Sequence, residues 1–172
     1  MSTPQHDLDR FFSGTTGDKL LEMEQVFTDH GPALLARHDV TESLARINLL
    51  AGRLDSTMAS MNLGILCSRC ASTQGGGCCS SYMEANTDVI LLLMNRLLGS
   101  RVQRQHAPSN ECCFLGDKGC TLPVKPMFCL NYNCSHIHEA VGDTRMAALE
   151  FPAGQLLTEQ TRLEALILQA LG

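Results

Sequence analysis

Apolar side chains recur at alternating steps of three and four residues over a long stretch in the first half of the chain. The positions are Leu44, Ile47, Ala51, Leu54, Met58, Met61 and Ile65. This spacing predicts an amphipathic helix with one apolar seam, for which Asp39 or Thr41 can serve as N-cap. Because the seam is short for a free coiled coil, we expect it to pack inside the chain, with a homodimer contact through the 44–65 helix as the alternative.

The chain before this helix predicts a second, shorter amphipathic helix. Residues 1–17 have little periodicity and are expected to form a loose arm or a short first helix. From Asp18, the expected N-cap, one apolar face is made by Leu20, Met23 and Phe27. Pro32 is expected to interrupt this helix, because proline has no N–H for a helical hydrogen bond.

Three further helices are predicted after the seam. Residues 89–94 are apolar on every side, which is typical of a buried helix, and we expect it to start at Asp88 and to end near Gly99. Ser135 is expected to cap an amphipathic helix, and residues 151–154, with their proline and glycine, are expected to break the chain before a last helix. The predicted fold class is mainly α, with helices around an irregular cysteine-rich centre and one short β-hairpin around residues 120–133.

The length of 172 residues suits one compact domain. We divide it into an N-terminal helical segment (1–66), a cysteine-cluster region (67–134) and C-terminal helices (135–172). A net charge of -5 argues against a nucleic-acid partner. The sequence has no recognisable signal peptide and no apolar run near the ~20 residues that span a membrane, so we expect a cytoplasmic protein.

Nine cysteines are the most informative feature of the composition. They fall in two blocks, one at residues 67–79 and one at residues 112–134. An odd number fits a complete disulfide framework poorly, and dense cysteines in a reducing compartment favour metal binding or redox chemistry. The second block contains turn-forming Gly and Pro residues, which let distant thiols converge, and large apolar residues, which can keep water away. We therefore expect one metal or iron–sulfur site that draws on both blocks.

The spacing of the cysteines leaves the metal open. Cys67-Ser-Arg-Cys70 has the Cys-x2-Cys spacing that both tetrahedral zinc and iron–sulfur clusters use. Only one such pair occurs, and the other thiols stand at irregular spacings, so an iron–sulfur cluster is favoured over zinc, with copper or inert buried thiols as further alternatives. Adjacent residues such as Cys78-Cys79 usually point apart, so the two rarely serve one site equally.

The order of these cysteines resembles a known family. Cys-x2-Cys, then Cys-Cys, then Cys-x-Phe-Leu, then Gly-Cys, then Lys-Pro-x-x-Cys and a final Cys is similar to the YkgJ-type cysteine-cluster family, described as a zinc- or iron-chelating domain. The resemblance covers about residues 67–134. It implies eight metal ligands: Cys67, Cys70, Cys78, Cys79, Cys112, Cys120, Cys129 and Cys134. It leaves Cys113 as a spare thiol, and it places Lys125 where the family more often has Arg.

The expected function is therefore that of a cysteine-cluster metalloprotein, with an iron–sulfur cluster (4Fe–4S) for electron transfer, redox sensing or assistance to a partner enzyme. The alternatives are a structural zinc module for protein interaction and an iron–sulfur enzyme of unknown substrate. A protein partner is expected in each case. His136 and His138 follow the last cysteine, but two residues apart on a helix they diverge, so we expect surface histidines and not ligands. No catalytic residue is predicted.

Overall fold

The computed structural model describes residues 9–73, 77–131 and 134–172. A helical turn at residues 9–12 precedes the named elements. These are α1 (Thr16–Leu35), α2 (His38–Ser60), α3 (Leu63–Ala71), α4 (Ser81–Glu84), α5 (Val89–Leu97), β1 (Leu115–Gly116), β2 (Gly119–Cys120), α6 (Met127–Leu130), α7 (Ser135–Val141) and α8 (Asp143–Leu171). The mainly helical class is confirmed. Among the described residues, no helix has both the length and the apolar character needed to span a bilayer.

The hairpin lies earlier in the chain than predicted. β1 pairs antiparallel with β2, with Leu115 opposite Cys120 and Gly116 opposite Gly119. Gly119 has a φ of 109°, a backbone conformation that suits glycine in a tight turn. The predicted position around 120–133 is wrong, because the chain after β2 leads to Pro126 and the helical turn α6 and not to a second strand. Residues 132–133 of that range lie outside the described residues.

The apolar seam of α2 packs inside the chain, as predicted. Leu44, Ile47, Ala51 and Leu54 are buried, and α2 packs most extensively against α8. The seam ends sooner than expected, because Asn62 adopts a left-handed conformation with a φ of 57° and separates α2 from α3. Ile65 therefore lies on α3 and is 44% exposed. A homodimer through α2 stays a prediction and would have to use other residues, such as the exposed Leu49.

The predicted N-caps of three helices are wrong by about one turn or less. The N-cap of α1 is Thr15, and Asp18 completes a capping box at the third helical position by accepting a hydrogen bond from the Thr15 backbone N–H at 2.9 Å. The N-cap of α2 is Arg37, one residue before the helix and not Asp39 or Thr41. Cys134, and not Ser135, precedes α7. Each true cap lies within four residues of the predicted one.

Neither proline that was expected to break a helix does so. Pro32 lies inside α1 and Pro152 inside the 29-residue α8. A helical proline removes the hydrogen bond to the carbonyl four residues earlier, here that of Thr28 or Ala148. Both of those residues are exposed, so water can replace the missing N–H, while the rest of each helix packs on the core.

The helix α5 lies at the centre of the fold. Every residue from 89 to 95 is buried, as the all-apolar pattern predicted, and both α1 and α8 pack against it. Asp88 caps α5 by accepting a hydrogen bond from the Leu91 N–H at 2.8 Å. Gly99 follows the helix with a φ of 81°, which is the usual glycine stop. The buried apolar residues form one cluster that draws on all three segments of the chain.

Two buried amide side chains hold the segment between the hairpin and α6. The Asn95 side chain on α5 accepts a hydrogen bond from the Val124 N–H and donates one to the Val124 carbonyl, both at 2.9 Å. The Gln160 side chain on α8 makes the same two hydrogen bonds with Lys125. It accepts one from the Lys125 N–H at 3.4 Å and donates one to the Lys125 carbonyl at 2.9 Å. Residues 124 and 125 thus pair with two helices as a strand would pair with its neighbours.

Replacing either amide should destabilise the protein strongly. Asn95→Ala leaves the buried Val124 N–H and carbonyl without partners, and we expect the free energy of unfolding to fall by about 3 kcal/mol. Gln160→Ala should act similarly on Lys125. Urea unfolding followed by circular dichroism measures both. The matched control is Gln155→Ala on the exposed side of α8, which should change stability by less than about 0.5 kcal/mol. Equal effects of Gln155→Ala and Gln160→Ala would contradict the assigned role.

Candidate metal centre

Seven of the nine cysteines line one cavity of about 520 Å³. They come from α3, from the segment before α4, from the segment before β1, and from β2, α6 and the residue before α7. These cysteines are Cys67, Cys78, Cys79, Cys112, Cys120, Cys129 and Cys134. Much of the remaining lining is apolar: Met58, Met83, Leu115, Phe128 and Ile137. The two sequence blocks therefore meet at one place in the fold.

The eighth predicted ligand, Cys70, borders a second and much smaller space. This space has a volume of about 10 Å³ and adjoins the large cavity through shared residues. Its cysteines are Cys67, Cys70, Cys78, Cys79 and Cys134. All eight predicted ligands thus face one or both spaces, and all nine cysteines are free thiols.

Cys113 faces away from both spaces. It is buried in the core, and its backbone N–H donates a hydrogen bond to Glu84 Oε2 at 2.7 Å. Glu84 in turn lies 3.6 Å from the Arg104 guanidinium. The neighbouring Cys112 lines the large cavity. The two adjacent thiols therefore have different surroundings, which agrees with a spare role for Cys113.

The thiols surround a space and do not converge on one point. As the side chains stand, no three Cys, His, Asp or Glu residues within residues 9–73, 77–131 and 134–172 are arranged so that they could hold a metal ion. Cysteine has a single χ1 torsion with three staggered positions, so each sulfur can move without any change in the backbone. The position of the backbone, and not the present rotamer, is what brings these residues together.

Backbone pairing joins the two cysteine blocks. The Cys112 N–H donates to the Cys79 carbonyl at 3.1 Å, and the Ser81 N–H donates to the Asn110 carbonyl at 2.9 Å. Ser80 and Glu111 form an isolated antiparallel bridge between these two bonds. This short ladder fixes the distance between Cys79 and Cys112 along one wall of the cavity.

Glycine allows α3 to approach the hairpin closely. A Cβ added at Gly64 would overlap the Lys118 carbonyl, and a Cβ added at Gly119 would lie 2.9 Å from the Gly64 Cα. Ser68 strengthens the contact by donating its hydroxyl to the Gly116 carbonyl at 2.8 Å. The approach places Cys67, one turn along α3, beside the cavity that Cys120 on β2 also lines.

Burial favours the protonated form of three cavity thiols, those of Cys112, Cys120 and Cys129. Burial, with a smaller contribution from neighbouring cysteines in the same direction, raises the pKa of Cys112 and of Cys129 to about 12. Cys120 has accessible surface, yet burial raises its pKa as well, because that surface faces the cavity and not the outside of the protein. A metal cation would have to displace these protons when it binds.

Three thiols of the first block form a hydrogen-bonded row with Cys134 of the second block. A hydrogen bond from the Cys79 thiol lowers the pKa of Cys67, and the same bond raises the pKa of Cys79. The pKa of Cys78 is raised chiefly by its hydrogen bond with Cys79, and its thiol also contacts that of Cys134. The row Cys67–Cys79–Cys78–Cys134 runs along the boundary between the two spaces.

Lys125 is the one cationic side chain among the described residues that line the large cavity. It is only 4% exposed, and its ammonium lies 3.6 Å from Asp55 Oδ1. Burial raises the pKa of Cys120 and of Cys129, and the positive charge of Lys125 acts in the opposite direction on both. Sequence reasoning noted Lys125 only as a departure from the family pattern, since nothing local to residue 125 signals burial of an ammonium.

The two histidines after the last cysteine lie on the surface of α7, as predicted. His136 is exposed and borders the small space, and His138 lies 3.5 Å from Asp143. Comparison with known proteins adds nothing to these assignments, since no protein family, no curated protein and no solved structure matches this chain. The resemblance carried by the cysteine order stays a prediction.

A methyl group at Gly64 should disturb the cavity wall. Gly64→Ala forces α3 away from the Lys118 carbonyl, and we expect a loss of about 1–3 kcal/mol in the free energy of unfolding. The control is Gly52→Ala in the middle of α2, where the added Cβ meets nothing within 4 Å. That change should stabilise the protein by up to ~1 kcal/mol through helix propensity. Urea unfolding compares the two, and a neutral Gly64→Ala would refute the close packing.

Proposed function

We propose that this protein binds an iron–sulfur cluster in its cysteine-lined cavity and uses it for electron transfer or redox sensing, in its own right or for a partner enzyme. The observation that carries the proposal is the convergence of seven thiols, from both sequence blocks, around one cavity of about 520 Å³. Cysteine thiolates are the usual ligands of such clusters. When bound, a cluster accepts and donates single electrons.

The size of the cavity favours a cluster over a single ion. Zinc–sulfur bonds of ~2.3 Å in a tetrahedral site bring the four sulfurs to about 4 Å from one another. The seven thiols border a space far larger than one ion, and they come from several elements, among them α3, β2 and α6. A group of several metal and sulfide atoms can fill such a space.

The surroundings of the thiols also suit a redox centre. The apolar part of the lining, with Met58, Leu115 and Ile137, would limit the access of water, and burial and charge near a cluster are the means by which proteins set its reduction potential. Lys125 contributes a positive charge at the cavity wall, which offsets part of the negative charge that thiolate ligands carry.

Exposed side chains at the cavity favour electron exchange with a protein partner. Phe128 on α6 lines the cavity and is 53% exposed, and its neighbour Met127 is 54% exposed. Phe128 therefore both borders the cysteine-lined space and reaches the protein surface. A buried structural centre would gain nothing from this arrangement, whereas a redox centre needs a short path to its partner.

A structural zinc ion is the second candidate, and the Cys67-x2-Cys70 pair on α3 supports it. Both residues border the small space of about 10 Å³ together with Cys78 and Cys134. Four thiolates around one ion are the usual composition of a structural zinc site. An enzyme with an iron–sulfur centre is a third possibility, for which the described residues offer no arrangement that suggests a substrate.

The ligand role of the second block can be tested with its adjacent cysteines. After anaerobic purification, the wild-type protein should be brown and contain iron and acid-labile sulfide. Cys112→Ser and Cys129→Ser should each lose the sulfide and the visible absorbance, because both thiols line the cavity. Cys113→Ser is the matched control and should keep them, because Cys113 faces the core. A colourless wild-type protein without sulfide would rule out the cluster.

Lys125 should raise the reduction potential of the cluster. Reduction adds negative charge, so removing the buried ammonium in Lys125→Met should lower the potential by on the order of 60 mV, a tenfold shift in the one-electron equilibrium. Lys125→Arg should retain most of the wild-type value. Redox titration with dye mediators measures the shift. The control is Lys118→Met in the exposed hairpin turn, which should leave the potential nearly unchanged.

A further inference from the structure

The two adjoining spaces divide the eight cysteines unequally. Three thiols, those of Cys112, Cys120 and Cys129, line the large cavity but not the small space. Cys70 lines the small space but not the large cavity. The remaining four, which form the row Cys67–Cys79–Cys78–Cys134, line both spaces. A single metal centre that used all eight cysteines would need ligands that line two different spaces.

The adjacent cysteines Cys78 and Cys79 lie where the two groups meet, and their surroundings differ. Cys78 follows Gly77, at which an added Cβ would lie 2.9 Å from the Cys70 Sγ, and Cys78 borders the small space together with Cys70 and Cys134. Cys79 accepts a hydrogen bond from the Cys112 N–H at its carbonyl, at 3.1 Å, which places it beside a cysteine that lines only the large cavity. Because side chains of adjacent residues outside a helix point to different sides, one thiol of the pair can serve each space.

We propose that the protein holds two metal centres: a single tetrathiolate ion bound by Cys67, Cys70, Cys78 and Cys134, beside a cluster bound by Cys79, Cys112, Cys120 and Cys129. This inference rests on the proposed function, because it assigns four of the eight ligands to the cluster. Each set of four thiolates matches what its centre requires. Cys113 belongs to neither set.

The volume of the small space indicates which kind of metal centre it can hold. About 10 Å³ is close to the room that one water-sized body needs, which is too little for a cluster and enough for one ion. Cys67 and Cys70 have the Cys-x2-Cys spacing that structural zinc sites use. Cys67, Cys78 and Cys134 line both spaces and Cys70 lines the small one, so all four proposed ligands border the small space.

The ion would have a structural purpose. Its four ligands lie on α3, in the segment before α4, and at the N-cap of α7, so the ion would tie these three parts of the chain together. Residues from the same three parts also line the large cavity. A bound ion would thus hold these parts in position for the cluster beside it.

The test compares metal and sulfide contents of three variants with those of the wild-type protein after anaerobic purification. Cys112→Ser should lose the acid-labile sulfide and the cluster iron and keep a single tightly bound ion per chain. Cys70→Ser should lose that ion and keep the sulfide and visible absorbance. Cys113→Ser should keep both. Elemental analysis of Cys112→Ser identifies the retained ion as zinc or iron, and circular dichroism confirms that each variant is folded.

Three outcomes would overturn the inference. If Cys70→Ser and Cys112→Ser each lose all metal and sulfide while folded, one shared centre exists and the cluster proposal stands without a second site. If Cys70→Ser fails to fold, Cys112→Ser decides alone, and its loss of every metal ion refutes the separate ion. A wild-type protein that binds no metal refutes both this inference and the proposed function.

Discussion

The geometry of the cavity depends on two buried amides that replace strand pairing. Asn95 and Gln160 hold the backbone of Val124 and Lys125 through both N–H and carbonyl groups. The short hairpin offers this segment no further strand to pair with, so its polar groups would otherwise be buried without partners. Because α5 and α8 carry the two amides, the buried helix α5 and the long helix α8 together hold the backbone of Lys125, which lines the cavity.

Charge is the second constraint on the site. Several thiols are buried close to one another, and burial raises the pKa of most of them, so the unprotonated forms are disfavoured without a cation nearby. Lys125 offsets part of this cost from within the wall, while Asp55 pairs with it from the exposed side. The arrangement suits a centre whose own positive charge completes the balance, and it couples metal binding to the release of protons.

The helices that enclose the site show how tertiary packing overrides local signals. Pro32 and Pro152 each remove one helical hydrogen bond, yet α1 and α8 continue because the freed carbonyls belong to exposed residues. The uninterrupted α8 matters for the site. Its Gln160 reaches Lys125 only because the helix that begins at Asp143 runs on past Pro152 to residue 160.

The sequence by itself determined the features that depend on local periodicity: the burial of α5, the intramolecular seam of α2, the mainly helical class and the grouping of cysteines into two blocks. Only the tertiary structure decided which thiols meet. It brought Cys67 to the cavity that Cys120 lines, turned Cys113 into the core and buried Lys125 at the wall. The physical reason is the distance along the chain over which each feature is determined. Helical periodicity repeats within a few residues, whereas the convergence of thiols depends on contacts between segments far apart in the chain, such as the Gly64–Gly119 approach and the two amide pairings, which no local pattern encodes.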